Sequence, residues 1–382
     1  MLKFDPPIIK HIDEVLPYIQ DKPEIMVGYR EDYTVIDYVY AAHETFNNVY
    51  ARECRGLKFA PDGTLLARPY HKFHNLNEKE EYQEHLIDFS KPNVMLDKLD
   101  GSMVHSIILR GRVRLMTRKG FSEVALKAEA WMGNRPVLTG QNTSEYGLLF
   151  SGTYPVTEFT HCFEYVAPHN QIVVFYEQES IILTAIRHIE TGEYVPYHEM
   201  VVEAQRCGVP VVQPYPLAAF DVAAVRADAV NEGLVVRFAN GSMLKVKADI
   251  YCAKHGAVDS VSHCHGVLEL AFANVLDDVL PNLAGEFKQR VIDYRDGFFA
   301  ALDVAKAKLI AETEQHDDLD QKTFALTIKD HPWRGHLFQY RKLRDADKVF
   351  NSYIERTSFK GKKVQEVCEE LGLPYEADLG RW

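Results

Sequence analysis

Up to Tyr251 the chain alternates short β-branched and aromatic runs with turn residues; beyond it, apolar residues recur every three or four positions. That division leaves few options. The first part must bury sheet faces and the second must bury helix stripes, which predicts an α+β domain over 1–250 followed by an all-α domain over 251–382. In the second part Phe287, Val291, Tyr294, Phe298, Leu302, Ala305 and Leu309 fall on one stripe of a long helix. Val267–Leu280, stopped by Pro281, and the stretches Thr323–Ile328, His336–Tyr340 and Val349–Ile354 supply further helical pieces. At the other end, Ile8, Ile9, Ile12, Val15, Leu16 and Ile19 predict an amphipathic helix over 6–20.

Within the β-rich part, Met26–Leu65 reads as short strands, and Val104–Leu109 and Val113–Thr117 as a hairpin ending at Arg118-Lys119-Gly120. Glu123–Met132 is helical by pattern, and Gly133–Thr157 reads as loop with a short segment inside. Ile181–Ile186 is a strand; Val201–Val212 and Ala218–Val230 suggest a helix, a strand and a second helix. Glu53-Cys54-Arg55-Gly56 and Tyr70–Glu78 would pass for ordinary surface loops. The strand-like Phe163-Glu164-Tyr165-Val166 carries a lone acid, which is either at an edge in water or buried for a purpose. Glu232–Phe238 and Met243–Lys247 flank Asn240-Gly241, a hairpin signal. Given a two-residue loop, Val236 opposes Lys245 and Leu234 opposes Lys247, so that Glu232, Lys245 and Lys247 project from one side. Such a row is either a solvated charged ladder or a seat for an anion between two repelling lysines.

Lys98-Leu99-Asp100-Gly101-Ser102 lies between two apolar runs and reads as a strand end and turn. A lysine there, beside a glycine that lets backbone approach a ligand, suits a nucleophile aimed at phosphate; a solvated turn is the plain alternative. Net charge is −12, yet phosphate is felt only within roughly 8–10 Å, so the sum does not decide against nucleic acid. Residues 331–363 hold nine basic against three acidic side chains. Apolar runs are too short to cross a bilayer, the N-terminus has no signal-peptide core, and six scattered cysteines without a C-x-x-C pair suit a reducing cytoplasm. His255, His263, Cys264 and His265 match no zinc spacing.

Lys98-Leu99-Asp100-Gly101, Phe163-Glu164-Tyr165-Val166, Glu232-Gly233-Leu234-Val235-Val236 and Leu244-Lys245-Val246-Lys247 follow in that order. They resemble motifs I, III, IV and V of the covalent nucleotidyltransferases, which include ligases and mRNA capping enzymes. Glu53-Cys54-Arg55-Gly56, Lys72-Phe73-His74-Asn75-Leu76-Asn77-Glu78, Arg118-Lys119-Gly120, Val166-Ala167-Pro168-His169-Asn170 and Thr191-Gly192-Glu193-Tyr194 are similar to the tRNA-repairing RNA ligase 1 family of T-even bacteriophages. Two positions depart from that family: His74 replaces an aromatic residue, and Gln171 an arginine in an N-R-I-V pattern.

The resemblance implies a nucleotidyltransferase (ATP-grasp-like ligase) domain of antiparallel sheets with flanking helices. It implies ATP as substrate and Mg2+ or Mn2+ as helper, with Lys98 as nucleophile and Glu232, Lys245 and Lys247 completing the catalytic set. Arg55, Lys72, Gly101, Lys119 and Glu164 would surround the ATP, and Glu164 and Glu232 would organise the metal, by way of water. The lysine must lose its proton to attack, and nearby cations are expected to favour that. RNA with 5′-phosphate and 3′-hydroxyl ends, tRNA in particular, is the implied partner, its ends prepared by a separate polynucleotide kinase/phosphatase. A DNA ligase or a GTP-dependent capping enzyme of the same superfamily is the alternative, although those carry a β-barrel where this chain turns helical. A non-catalytic nucleic-acid-binding protein is another.

Overall fold

The computed structural model describes residues 2–42, 44–133, 137–138, 145–216, 220–283, 285–356 and 362–380. The chain divides into two compact units, Met1–Cys252 and Ala253–Trp382. Parts of the Gly133–Thr157 reading, the start of Ala218–Val230, and Lys360 lie outside the described residues.

Three antiparallel sheets build the first unit. One runs in chain order through β1 (Ile25–Tyr29), β2 (Thr34–Tyr38), β3 (Arg55–Phe59) and β4 (Leu65–Ala67). The remaining strands are β5 (Asn93–Asp97), β6 (Ser102–Leu109), β7 (Arg112–Thr117), β8 (Val137–Leu138), β9 (Phe159–Val166), β10 (Ser180–His188), β11 (Gly233–Phe238) and β12 (Met243–Lys247). The second sheet has the order β10-β9-β6-β7-β8 and the third β12-β11-β5. Helices Glu123–Trp131 and Tyr197–Cys207 flank them, the first capped by the Ser122 side chain accepting from the Ala125 amide.

The opening segment is not an α-helix. It forms two 3-10 turns, Ile12–Glu14 and Leu16–Tyr18, with Ile9, Val15 and Ile19 buried but Ile8 60% exposed. Pro17 removes an amide donor inside a helix over 6–20, and its ring clashes with the carbonyl of Asp13 four residues back. The Ile9 amide instead donates to the Glu190 carbonyl, and His11 and Glu14 close a capping box on the first turn.

Neither supposed surface loop is simply solvated, although Asn77 and Glu78 are exposed. Glu53 is 3% exposed, and its carboxylate meets Arg68 Nε at 3.0 Å and Arg187 at 2.8 Å through both oxygens. Burial raises its proton affinity, but the two guanidiniums outweigh it and hold the carboxyl well below the usual carboxylate range. Arg68 also donates to the carbonyls of Pro7 and Glu190 and Arg187 to that of Pro69, so one buried charge cluster ties the N-terminal segment, β10 and the start of β3 together. His71, Phe73, His74 and Leu76 are likewise buried.

The β11–β12 register differs by one residue from the expected one. Gly233 opposes Lys247, Val235 opposes Lys245 and Val236 opposes Leu244, around the three-residue turn Ala239-Asn240-Gly241. Gly241, at φ +86°, supplies the left-handed residue that a three-residue loop requires. The shift is what packing demands: Leu234, Val236, Leu244 and Val246 now share the core face, and Val235, Lys245 and Lys247 take the other.

In the second unit, helix Gly285–Glu314 buries Phe287, Val291, Tyr294, Phe298, Leu302, Ala305 and Leu309. Helices Cys264–Phe272, Gln321–Thr327, Arg334–Leu343, Ala346–Glu355 and Lys362–Leu371 accompany it; Val267, Phe324, Leu337, Phe350 and Val367 join its core.

Candidate active site

The order β12-β11-β5 decides which side chains meet. Neighbouring strands run in opposite directions, so the C-terminal end of β5, the start of β11 and the C-terminal end of β12 form one edge of the sheet. Lys98, Glu232 and Lys247 stand along that edge. The Lys98 amide extends the ladder by donating to the Gly233 carbonyl at 2.9 Å. Its ammonium lies 2.6 Å from Glu232 Oε2, and Lys247 Nζ lies 2.9 Å from Oε1. The Glu232 carboxylate is 3% exposed and serves both lysines, each about a quarter exposed. Strict alternation would send Glu232 to the face opposite Lys247. Gly233 breaks it with φ +132°, and a Cβ there would sit 2.1 Å from the Val246 carbonyl oxygen, so only glycine turns Glu232 toward the lysines.

Lys245 is set deeper on the same face, its ammonium over the Phe73 ring and its backbone paired with His74 and Leu76. Burial, followed by the charges of Arg55, Lys98, Lys72 and Lys247, pushes its ammonium down to about 7. Arg55 lies over the other reach of the Phe73 ring, and Lys72 over Tyr38 and Phe46. Burial and the neighbouring Arg55 and Arg118 lower Lys72 as well, against the pull of Tyr38 and Glu78. His74 stays within an aromatic setting, edge-on to Phe46 and Tyr82, with Nδ1 2.8 Å from Glu78 Oε1. Gln171 donates to the Val173 carbonyl.

Glu164 accepts from the Gly101 amide at 3.1 Å. Burial pushes its carboxyl up to about 7; Lys98 opposes that shift and Glu232 adds to it. Asp100 is 1% exposed and accepts from the Val173 and Val174 amides and from the Tyr251 hydroxyl, which pins the Lys98 loop onto the segment after β9. Lys119, by contrast, is exposed. The residue before it, Arg118, is the one packed inward, over the Tyr38 ring at 4.2 Å and 3.1 Å from Asp37. Asp37, Tyr38, Asp100 and Arg118 were not singled out as site residues from sequence; Asp37 in an apolar strand carried the same signal that marked Glu164.

Glu164 gives one carboxylate oxygen to the Gly101 amide, and Glu232 gives both of its oxygens to lysines. No group of three or more His, Cys, Asp or Glu able to hold an ion exists among the described residues.

The arrangement is a cluster of cations with two lysines, Lys98 and Lys247, sharing Glu232 at the sheet edge. A family model described as RNA ligase matches residues 53–251. The chain belongs to the RNA ligase family. It is 32% identical over 186 residues to a protein of Thermovibrio ammonificans named "Putative RNA ligase", covering 48% of this chain and 46% of that one. It is 28% identical over 170 residues to RNA ligase 1 of bacteriophage TS2126, covering 43% and 42%. The chain thus spans less than half the length of the curated relatives it matches. An archaeal ATP-dependent RNA ligase structure aligns over 90% of this chain and 79% of its own, at 14% identity and a TM-score of 0.47. No helix among the described residues is long and apolar enough to cross a membrane.

Proposed function

We propose that this family member is an ATP-dependent RNA ligase that works through a lysyl-AMP. The observation that carries the reading is the row Lys98–Glu232–Lys247 on one sheet edge, with Lys245 behind it. Lys98 Nζ attacks the α-phosphorus of ATP and pyrophosphate leaves. Glu232, in contact with the ammonium, is the group placed to take its proton. Lys245, Lys247, Arg55 and Lys72 neutralise charge on the phosphates as the leaving group departs. AMP then passes from Lys98 to an RNA 5′-phosphate, forming a phosphoanhydride. A 3′-hydroxyl attacks that 5′-phosphate, the phosphodiester forms and AMP leaves. Glu164 and Glu232 would hold a Mg2+ or Mn2+ by way of water, and the ion would neutralise charge on the phosphates; none of the steps above is routed through it.

The exposed cations Arg334, Lys342, Lys348 and Arg356 of the helical unit are the proposed RNA contacts, with a broken structured RNA such as tRNA as substrate and a kinase/phosphatase supplying its ends. Incubation with ATP and Mg2+ followed by intact-mass measurement tests the chemistry. Wild type gains one AMP and Lys98→Ala gains none. An AMP adduct on the Lys98→Ala protein would sink the assignment.

A further inference from the structure

We propose that Arg118 is a further substrate-binding residue, its guanidinium contacting the outer phosphates of the nucleoside triphosphate; this rests on the adenylation reading above. Three observations carry it.

The first is how firmly Arg118 is placed. The turn 117–120 is closed by reciprocal Thr117–Gly120 backbone bonds of 2.9 and 3.0 Å and by the Thr117 hydroxyl donating to the Gly120 carbonyl. Lys58, fully buried, donates to the Gly56 carbonyl at 2.7 Å and to the Arg118 carbonyl at 2.9 Å. One ammonium therefore grips both the strand that carries Arg55 and the turn that carries Arg118. The two backbones are so close that a Cβ on Gly56 would come within 2.7 Å of the Arg118 carbonyl oxygen.

The second is the orientation of the guanidinium. Its Nε faces the fully buried Asp37 carboxylate at 3.1 Å, and its flat face covers the Tyr38 ring at 4.2 Å. Asp37 pairs by charge with the inner side of the guanidinium, without a hydrogen bond, and Tyr38 covers its face, which leaves the terminal nitrogens as donors to fork a phosphate.

The third is the order of the charges. Burial raises the Tyr38 phenol, yet Arg55, Arg118 and Lys72 together outweigh it and lower it, so all three cations converge on that ring. Arg55 and Arg118 bear on Lys72, while Arg55, Lys72, Lys98 and Lys247 bear on Lys245. Shared rings link the cations in space: Lys245 and Arg55 lie over Phe73, and Lys72 and Arg118 over Tyr38, while Lys98 and Lys247 share Glu232 at the end of the same sheet as Lys245. If the α-phosphorus sits at Lys98, the outer phosphates extend toward Arg118. Lys119, which the family resemblance places around the ATP, is exposed beside it.

The test is equilibrium binding of ATP and of AMP to full-length protein in a Lys98→Ala background, which prevents turnover. Arg118→Gln should weaken ATP about 10- to 100-fold and AMP by less than about twofold, the range for a charge-assisted contact made only to the outer phosphates. Unchanged AMP binding also shows that the pocket is folded. Arg118→Lys should recover part of the loss, and Lys119→Gln should lose less than Arg118→Gln. Equal weakening of ATP and AMP, a larger loss with Lys119→Gln, or intact ATP binding with weakened RNA binding would each overturn the proposal. Failure of wild type to acquire AMP overturns the adenylation reading itself. Full ATP affinity in Arg118→Gln, alongside normal adenylation of wild type, overturns only the role of Arg118.

Discussion

Lys245 is the group through which solution pH should reach the pocket. With its ammonium pushed down to about 7 by burial and four neighbouring cations, about nine in ten copies are neutral near pH 8, where an ordinary lysine is fully charged. A triphosphate replaces that repulsion with attraction and restores the ammonium. ATP binding near pH 8 should therefore take up about 0.9 proton at this residue, falling to about 0.1 near pH 6, where Lys245 is already charged. Affinity follows the same linkage. It should fall by as much as about tenfold per pH unit between about 7 and the ordinary lysine value of roughly 10.5. The stability of the unliganded chain moves the other way. Across that window the unfolded chain binds the Lys245 proton and the folded chain does not, so this residue's contribution to stability rises with pH. Glu164, pushed up to about 7, and Lys58, pushed down to about 7, both chiefly by burial, titrate nearby, so wild-type uptake alone does not identify the group. Titration calorimetry in two buffers of different ionisation enthalpy, on Lys98→Ala proteins with and without Lys245→Met, which cannot turn over, isolates it. The expected difference near pH 8 is about 0.9 proton per ATP. Uptake that Lys245→Met leaves unchanged, or that does not grow from acid to alkaline pH, would refute the reasoning.

Glu232→Ala should abolish most adenylation and lower unfolding stability in urea by about 2–3 kcal/mol. That is less than the roughly 3–5 of a fully buried pair, because both lysines remain about a quarter exposed. Lys247→Ala should also cripple adenylation, whereas Lys254→Ala, beyond the hairpin, should behave as wild type in the intact-mass assay. Similar mild effects from all three would show a merely solvated charge ladder. Gly233→Ala should cost about 3 kcal/mol or more in the same urea titration and silence adenylation, since its Cβ has no room against Val246. Replacing the exposed Arg334, Lys342 and Lys348 by glutamine should flatten the slope of log RNA affinity against log salt by about 0.7–0.9 per lost phosphate contact; an unchanged slope would remove these residues from the RNA interface.

What the sequence made legible was local. The turn after β5, the long helical stripe of Phe287 to Leu309 and the hairpin around Asn240-Gly241 each announce themselves within one continuous stretch of chain. The hairpin's register was also recoverable, because Leu234, Val236, Leu244 and Val246 cannot share a core under a two-residue loop. Counting the loop from Asn-Gly alone hid that. Long-range pairing was not legible. Glu53 is buried only because Arg68 and Arg187 arrive from β4's end and β10, and no spacing in the chain announces such a meeting. The opening segment misled because its apolar period is real, while Pro17 breaks a helix there by removing an interior amide and clashing one turn back. Arg118 was masked by the adjacent lysine; which of two neighbouring cations faces inward depends on Asp37 and Tyr38, a sheet away in sequence.

Lys98 and Glu232 touch across more than a hundred residues of intervening chain, and Lys247 arrives later still. Contacts of such wide sequence separation form late, since the entropy of closing the loop must be overcome before the pairing rewards it. During synthesis, a nascent chain that has exposed Lys98 but not β11 and β12 holds an unaccompanied lysine on an unpaired strand end. The row that handles phosphate exists only once the last strand of the first unit has emerged and zipped onto β11. Adduct formation on ribosome-stalled chains of increasing length would therefore switch on abruptly past Lys247, making nucleotide capture a timestamp for completion of that sheet.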